Sequence, residues 1–327
     1  MTVSCLVEHD GDEAIDASLR ALSFAKSLAE SASEPLAAVL IGPVGEPILA
    51  TLAAFGVQEA YSVVSDELDW YAPVGWARAL LGLELSAPTT ALVAAGTDRG
   101  NEVMAHVGAL SGLAMVANCL TAERSDATTV SLSRQRWAGS LIEDAVVEGG
   151  KVLLTVAFDG VAPTPAAEPA SPSLQVRHPE LSQADLAVRV SEWTKQTAGI
   201  SLAEARVVVG GGRGVGSAEG FGLIEELADL LGAAVGVSRA VTSAGWRPHS
   251  QQVGQTGTRI SPDLYMPCGI SGAIQHLAGC QSAKHVVAIN TDADAPIISR
   301  ADYAVIGDLG AIIPALVTAI RERGATS

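Results

Sequence analysis

Three segments in the second half of this chain combine glycine with hydrogen-bonding side chains, a combination suited to a phosphate-bearing ligand. The first, Gly210 to Gly216, is a glycine-dense turn between a strand-like run and a helical pattern. Backbone N–H groups there, with the positive end of a following helix, would face an anion such as a pyrophosphate. The spacing departs from the dinucleotide fingerprint: after Gly212 and Gly214, Ser217 stands where a third glycine is required, and no GxxxxGK[ST] loop occurs. Alone, the segment reads equally as a phosphate cradle or a tight structural turn. The second, Gln252–Thr258 (QVGQTGT), is a loop of small and hydrogen-bonding residues without apolar periodicity. The third, Cys268–His276 (CGISGAIQH), leads from a strand-like run into a helix. Its glycines permit close backbone approach, and Ser271, Gln275 and His276 offer donors; alone, His276 reads as a helix-surface histidine. Asn290 and Asp308 follow two further strand-like runs, each open to a ligand role or a turn or cap role. There is no GxSxG elbow, no metal-ligand spacing and no pair of carboxylates in a glycine-lined cleft.

The elements that must position these segments follow from periodicity. In the second half, strands are expected at Arg206–Val209, Ala233–Val237, Leu264–Cys268, His285–Ile289 and Tyr303–Ile306. Ile224, Leu227, Ala228 and Leu231 recur at i, i+3, i+4 and i+7, one apolar helix face. This predicts a doubly wound parallel sheet, in which ligands bind beyond the carboxyl ends of the strands. The first half also alternates: strands at Val3–Val7, Leu36–Ile41, Ala60–Val64 and Thr90–Ala95, helices over Ala14–Ala29 and Glu46–Phe55. Val130–Ser133, Arg136–Leu141 and Lys151–Phe158 look like hairpin strands, so the sheet there is expected to be mixed. The Pro- and Ala-rich Gly160–Pro172 reads as a surface loop, and Asp185–Trp193 as one more strand of the first domain. The resulting division is an N-terminal mixed-sheet α/β domain over 1–200 and a doubly wound domain over 201–327. The nearest phosphate-loop candidate in the first domain, Gly96–Gly100 (GTDRG), has two glycines and reads as a structural turn.

Composition narrows the function classes. The 327 residues are 48% hydrophobic but only 4% aromatic, which leaves small aliphatic residues as core material, as parallel sheets under helices require. A formal net charge of −16 argues against nucleic acid or an anionic membrane surface as partner. Cys5, Cys119, Cys268 and Cys280 lack CxxC spacing and read as buried thiols of a reducing compartment. The acidic start resembles neither a secretory signal nor a transit peptide, and no apolar run approaches the ~20 residues that span a bilayer. A cytoplasmic protein without membrane insertion is expected.

From Leu202 to Leu309 the sequence resembles the carboxyl-terminal domain of electron transfer flavoprotein alpha subunits. The matches are VVVGGGRG (Val207–Gly214), AAVGVSRA (Ala233–Ala240), QVGQTG (Gln252–Gly257), LYMPCGISGAIQHLAG (Leu264–Gly279), the AIN…AP run (Ala288–Pro296) and ADYAVIGDL (Ala301–Leu309). GISGAIQHLAG is long and nearly diagnostic. The first half is similar more loosely, chiefly through WAG followed by LLTV. Against the family pattern, Thr258 replaces Lys, Ser243 a common Asp, Pro267 a small residue and Gly210 a frequent Ser; Thr258 and Ser243 border the cofactor loop and bear on potential and partner choice.

The resemblance implies one FAD per chain, held in the second domain, and a pseudo-symmetric beta subunit carrying an AMP. By position, Arg213, Ser238, Arg239, Val253, Gly254, Gln255, Thr256, Ser271, Gly272, Ala273, Ile274, Gln275, His276, Asn290, Asp308 and Leu309 are expected to line the FAD. Arg239 is expected against the isoalloxazine ring, Thr256 near N5 and His276 near the C2 carbonyl, where reduction places negative charge. The implied function is an electron carrier without substrate turnover of its own. It would accept electrons from flavoprotein dehydrogenases, such as acyl-CoA dehydrogenases of fatty acid β-oxidation, and pass them to a quinone oxidoreductase. Whether the chain belongs to an electron-bifurcating pair is not written in it. A stand-alone FAD- or NAD-dependent oxidoreductase and a flavin-free structural paralogue remain the alternative readings.

Overall fold

A computed structural model describes residues 1–83, 89–137, 139, 141–157, 160–191, 202 and 205–324. The chain forms two compact units, Met1–Thr194 and Lys195–Ser327. The boundary expected between residues 200 and 201 lies outside the described residues.

In the first unit, β1 (Thr2–Leu6), β2 (Leu36–Ile41), β3 (Glu59–Val63) and β4 (Thr89–Ala95) alternate with α1 (Asp16–Ala32), α2 (Glu46–Ala54) and α3 (Pro73–Leu83). After α4 (Asp98–Ser111) come β5 (Met115–Arg124), β6 (Thr129–Arg136), β7 (Leu141–Glu148), β8 (Val152–Val156) and β9 (Ser173–Arg177). They make one nine-stranded sheet in the order β7-β6-β5-β8-β4-β1-β2-β3-β9. Only the β5–β6 and β6–β7 pairs are antiparallel, so the sheet is mixed, as the change of pattern after Thr128 predicts. β1, β2 and β4 are aliphatic and buried throughout, because helices cover both faces.

Three local expectations are corrected. The predicted strand Arg136–Leu141 does not run as one strand: β6 ends at Arg136, β7 begins at Leu141, and these two residues pair with each other. The run Lys151–Phe158 is no hairpin strand, since its core, β8, lies between β4 and β5 and is parallel to both. The run from Asp185 to Ser191 contains no strand. There the Asp185 carboxylate accepts from the Ser182 backbone N–H at 2.9 Å and from its hydroxyl at 2.7 Å, closing a local turn that wins over extended pairing. The last strand is instead β9, parallel to β3. The Pro-rich segment 160–172 carries the chain to it across α1 and α2, anchored by Thr164 N–H to Ser23 and Ala166 N–H to Ala54 O.

In the first unit the strand order reverses between β1 and β4, and their carboxyl ends carry a cluster of paired side chains. Thr97, the N-cap of α4, donates its hydroxyl to Glu8 and accepts from the Gly100 N–H at 2.8 Å. Arg99 approaches the second Glu8 oxygen at 3.9 Å, and its guanidinium lies 4.9 Å from the Tyr71 ring centroid and 5.4 Å from that of Trp76. The GTDRG segment is thus the capped start of a helix. Gly100 is required because a Cβ there would lie 2.1 Å from the Ala95 carbonyl oxygen.

The second unit is a five-stranded, wholly parallel sheet in the order β11-β10-β12-β13-β14: β10 (Val207–Gly211), β11 (Ala234–Val237), β12 (Leu264–Cys268), β13 (His285–Asn290) and β14 (Tyr303–Ile306). The predicted doubly wound parallel sheet is therefore present. On one face, α5 (Phe221–Leu231) buries Phe221, Ile224, Leu227 and Ala228 against Ile313 and Val317 of α8 (Leu309–Gly324). Burial of each large aliphatic contributes about 1.5–3 kcal/mol. Two short helices complete the unit, α6 (Arg239–Ser243) and α7 (Ile274–Cys280). Topology reverses between β10 and β12, so the crevice for a ligand opens beyond Gly211 and Cys268.

Candidate cofactor site

Two glycine loops meet at that reversal, backbone on backbone. The Gly212 N–H donates to Cys268 O at 2.9 Å, and the Gly214 N–H to Gly269 O at 3.0 Å. A Cβ on Gly212 would lie 2.1 Å from Gly269 O, and one on Gly214 2.7 Å from Gly269 Cα. The glycines of GGGRG thus let one loop lie flat on the next. The turn that the sequence left open between cradle and structure serves the close approach of two strand ends.

The QVGQTGT loop is bound to the same edge. Val253 N–H donates to Val237 O at 2.9 Å, and Gln255 N–H to Gln275 O at 2.7 Å. Gly279 of α7 faces Gly254, where a Cβ would come within 2.3 Å of its Cα. Gln252 is buried beneath the loop. Its Oε1 accepts from the Thr242 hydroxyl at 2.6 Å, and its Nε2 donates to Thr256 Oγ1 at 3.1 Å. With that oxygen accepting, the exposed Thr256 keeps its hydroxyl hydrogen for another acceptor.

Because all five strands are parallel, the sixteen expected residues gather along one sheet edge. Arg213 follows β10, Ser238 and Arg239 follow β11, 271–276 follow β12, Asn290 ends β13, and Asp308 and Leu309 follow β14. Arg213, Arg239, Gln255, Thr256, Ser271, Ala273, Ile274, Gln275 and Asp308 are exposed, with Ile274 at 82%. Neither Arg213 nor Arg239 has an ion pair among the described residues. Val253, Gly254, Gly272, His276, Asn290 and Leu309 are buried, and Ser238 is half-buried. Asn290 joins two loops: its Nδ2 donates to Ile270 O at 2.9 Å while its Oδ1 accepts from Asp292 N–H at 3.1 Å. Leu309 belongs to the core below.

His276 is not the surface histidine that it resembles in isolation. Its Nε2 lies 2.7 Å from the Tyr265 hydroxyl, and Nδ1 is enclosed without a partner at hydrogen-bond geometry. Burial pulls the imidazole down to about 4 against the opposing effect of the Val253 carbonyl, so the ring is neutral near pH 7. Tyr265 and Thr242 stand outside the three candidate loops, and Gln252, though inside QVGQTGT, is not among the residues expected to line the FAD. Tyr265 had a usable signal: a tyrosine inside a buried strand needs a partner for its hydroxyl.

A family model described as the electron transfer flavoprotein FAD-binding domain matches residues 201–281, and one described as the electron transfer flavoprotein domain matches residues 3–184. The electron transfer flavoprotein subunit alpha of Mycobacterium tuberculosis is 39% identical over 324 residues, 98% of each chain. This chain belongs to the electron transfer flavoprotein alpha subunits. The alpha subunit of Thermoanaerobacterium thermosaccharolyticum is 31% identical over 317 residues, 96% of each chain, and that of Bacillus subtilis 32% identical over 285 residues, 87% of each. The cofactor of an alpha subunit with this FAD-binding domain is FAD. The residues on the edge fit that group. Two guanidinium groups without an ion pair among the described residues, on neighbouring strand ends, oppose the charge of its pyrophosphate, and a positioned threonine hydroxyl offers a donor.

Proposed function

We propose that this alpha subunit is the FAD-holding half of a heterodimeric electron carrier, with no substrate turnover of its own. It takes electrons from flavoprotein dehydrogenases, such as the acyl-CoA dehydrogenases of fatty acid β-oxidation. It passes them to a quinone oxidoreductase, and its compartment is the cytoplasm. The observation that carries this reading is the chemistry of the cofactor edge. It is built from glycine backbone, amides, hydroxyls and two guanidinium groups, and its one imidazole is buried and neutral. Such an edge binds and tunes a cofactor. Bound FAD supplies the redox chemistry.

The chain's own residues would divide the remaining work. Arg213 and Arg239 would balance negative charge on the phosphates and on the reduced ring, where a preorganised cation in a partly dry site acts far more strongly than in water. Gln252 would hold Thr256 in place for a single donated hydrogen bond. No helix among the described residues is long and apolar enough to cross a membrane.

A partner is supported by the β6–β7 hairpin. β7 is an edge strand of the nine-stranded sheet, and Trp137, Leu141, Ile142 and Val146 expose 79%, 56%, 60% and 61% of their surface. An edge strand with such residues is a surface that a partner covers. The test is anaerobic mixing of the FAD-loaded complex of this chain and a beta subunit with a substrate-reduced acyl-CoA dehydrogenase. Loss of the oxidised-flavin absorbance, recovered on adding quinone oxidoreductase and quinone, is expected. Steady turnover of a small molecule by the isolated chain would favour the stand-alone oxidoreductase instead.

A further inference from the structure

Beneath the cofactor edge, Tyr265 of β12 is fully enclosed, and its hydroxyl has one hydrogen-bond partner among the described residues, His276 Nε2 at 2.7 Å. The neighbouring strand makes room for it. Gly210 pairs with Pro267 in β10–β12, and a Cβ on Gly210 would lie 2.6 Å from the Tyr265 oxygen. A side chain is absent at 210 where a phenol is seated.

The bond can be made in two directions, and they differ in what they leave unmet. With the phenol as donor, its hydrogen is satisfied and the neutral imidazole carries its one proton on Nδ1, the single donor left without an acceptor among the described residues. With Nε2–H as donor, both the phenolic hydrogen and the Nδ1 lone pair are left unmet in a dry site.

We propose that Tyr265 is a positioning residue that fixes His276 as the neutral Nδ1–H tautomer, so that the imidazole serves the cofactor edge as an oriented dipole with one donor and not as a cation. The flavin consequence rests on the reading of this edge as the FAD site; the tautomer itself does not. Charge at the ring is then left to Arg239, which is exposed and unpaired among the described residues. Any hydrogen bond from His276 to the flavin comes from Nδ1.

The test is long-range proton–nitrogen NMR of imidazole-labelled full chain, FAD-loaded and FAD-stripped, beside Tyr265→Phe, which keeps the ring and removes the hydroxyl. Wild-type His276 is expected to show a protonated Nδ1 and an acceptor-type Nε2 that do not titrate across the neutral range. Tyr265→Phe should shift the ring toward the Nε2–H form and change the one-electron potential of bound FAD at unchanged FAD content. Gly210→Ala, which crowds the hydroxyl, should move the tautomer in the same direction. A protonated Nε2 in the wild type, or an unaltered tautomer in a folded Tyr265→Phe chain, overturns the proposal. If Tyr265→Phe does not fold, the wild-type spectrum decides. If the tautomers behave as stated but neither nitrogen responds to FAD, the role of Tyr265 stands and the placement of His276 beside the flavin falls.

Discussion

At the scale of single residues, Arg239 and Glu8 show opposite uses of charge. Arg239 opens α6 on the cofactor edge without an ion pair among the described residues, so its field is available to the flavin. Replacing it by alanine is expected to lower the one-electron potential of bound FAD by roughly 40–90 mV, equivalent to ~1–2 kcal/mol at ~59 mV per ~1.4 kcal/mol. Spectroelectrochemical titration of a flavin-loaded Arg239→Ala complex checks this; an unchanged potential removes the role. Glu8 instead is buried, and burial raises its carboxyl pKa, only partly offset by the Thr97 hydrogen bond and Arg99. A raised carboxyl pKa means that the folded state holds the proton more tightly than the unfolded chain. The contribution of Glu8 to stability is therefore present at low pH and lost as pH rises through its folded pKa. Glu8→Gln, which keeps an acceptor for Thr97, is expected to raise the urea midpoint at neutral pH, with the gain shrinking on acidification. A deficit that grows with pH would show that the Arg99 pairing outweighs the burial cost.

At the scale of elements, the site depends on loops that meet through backbone atoms. Gly212→Ala puts a methyl 2.1 Å from Gly269 O and 2.6 Å from its carbonyl carbon, backbone that no side-chain rotation relieves. The variant is expected to lose about 1–3 kcal/mol or more of stability and to release FAD, as read from the urea midpoint and from flavin retained on gel filtration. Retention of both would show that the loops can separate freely. Much of this level is legible in the sequence, because parallel strands are short apolar runs: Leu36–Ile41, Leu264–Cys268 and Tyr303–Ile306 begin and end where expected, the first two largely buried and the last, an edge strand, exposed. The three polar loops were legible from glycine and amide content, and parallel topology then had to bring them to one edge. What was not legible depends on contacts distant in sequence. The alternating run at 185–191 resembles a strand, but Asp185 closes a turn on Ser182 and meets Arg78 at 3.3 Å. β5 and β9 carry mixed exposure that only their pairing partners explain. The hydrogen bond between Tyr265 and His276 joins residues eleven apart, in a strand and the helix after it, which periodicity does not pair.

At the scale of the whole molecule, two units each contain a reversal of strand order, the place where open α/β sheets take ligands. In the first, the carboxyl ends of β1 and β4 carry Glu8, bound to Thr97 and near Arg99, whose guanidinium lies over Tyr71 and Trp76. In the second, the carboxyl ends of β10 and β12 present glycine backbone. On the proposal that the first unit makes the partner contacts, Val146→Asp on the exposed edge strand β7 is expected to weaken the complex with a beta subunit at least tenfold by analytical ultracentrifugation, while a chain that still pairs normally would move the interface elsewhere. The most direct test of the central claim, that the loops of the second unit hold the FAD, is hydrogen–deuterium exchange of the full complex with and without FAD. Protection is expected in peptides covering 211–216, 252–258 and 269–276, with little change at 8–12 and 97–101. Protection concentrated at 8–12 and 97–101, with the glycine loops unaffected, would contradict it.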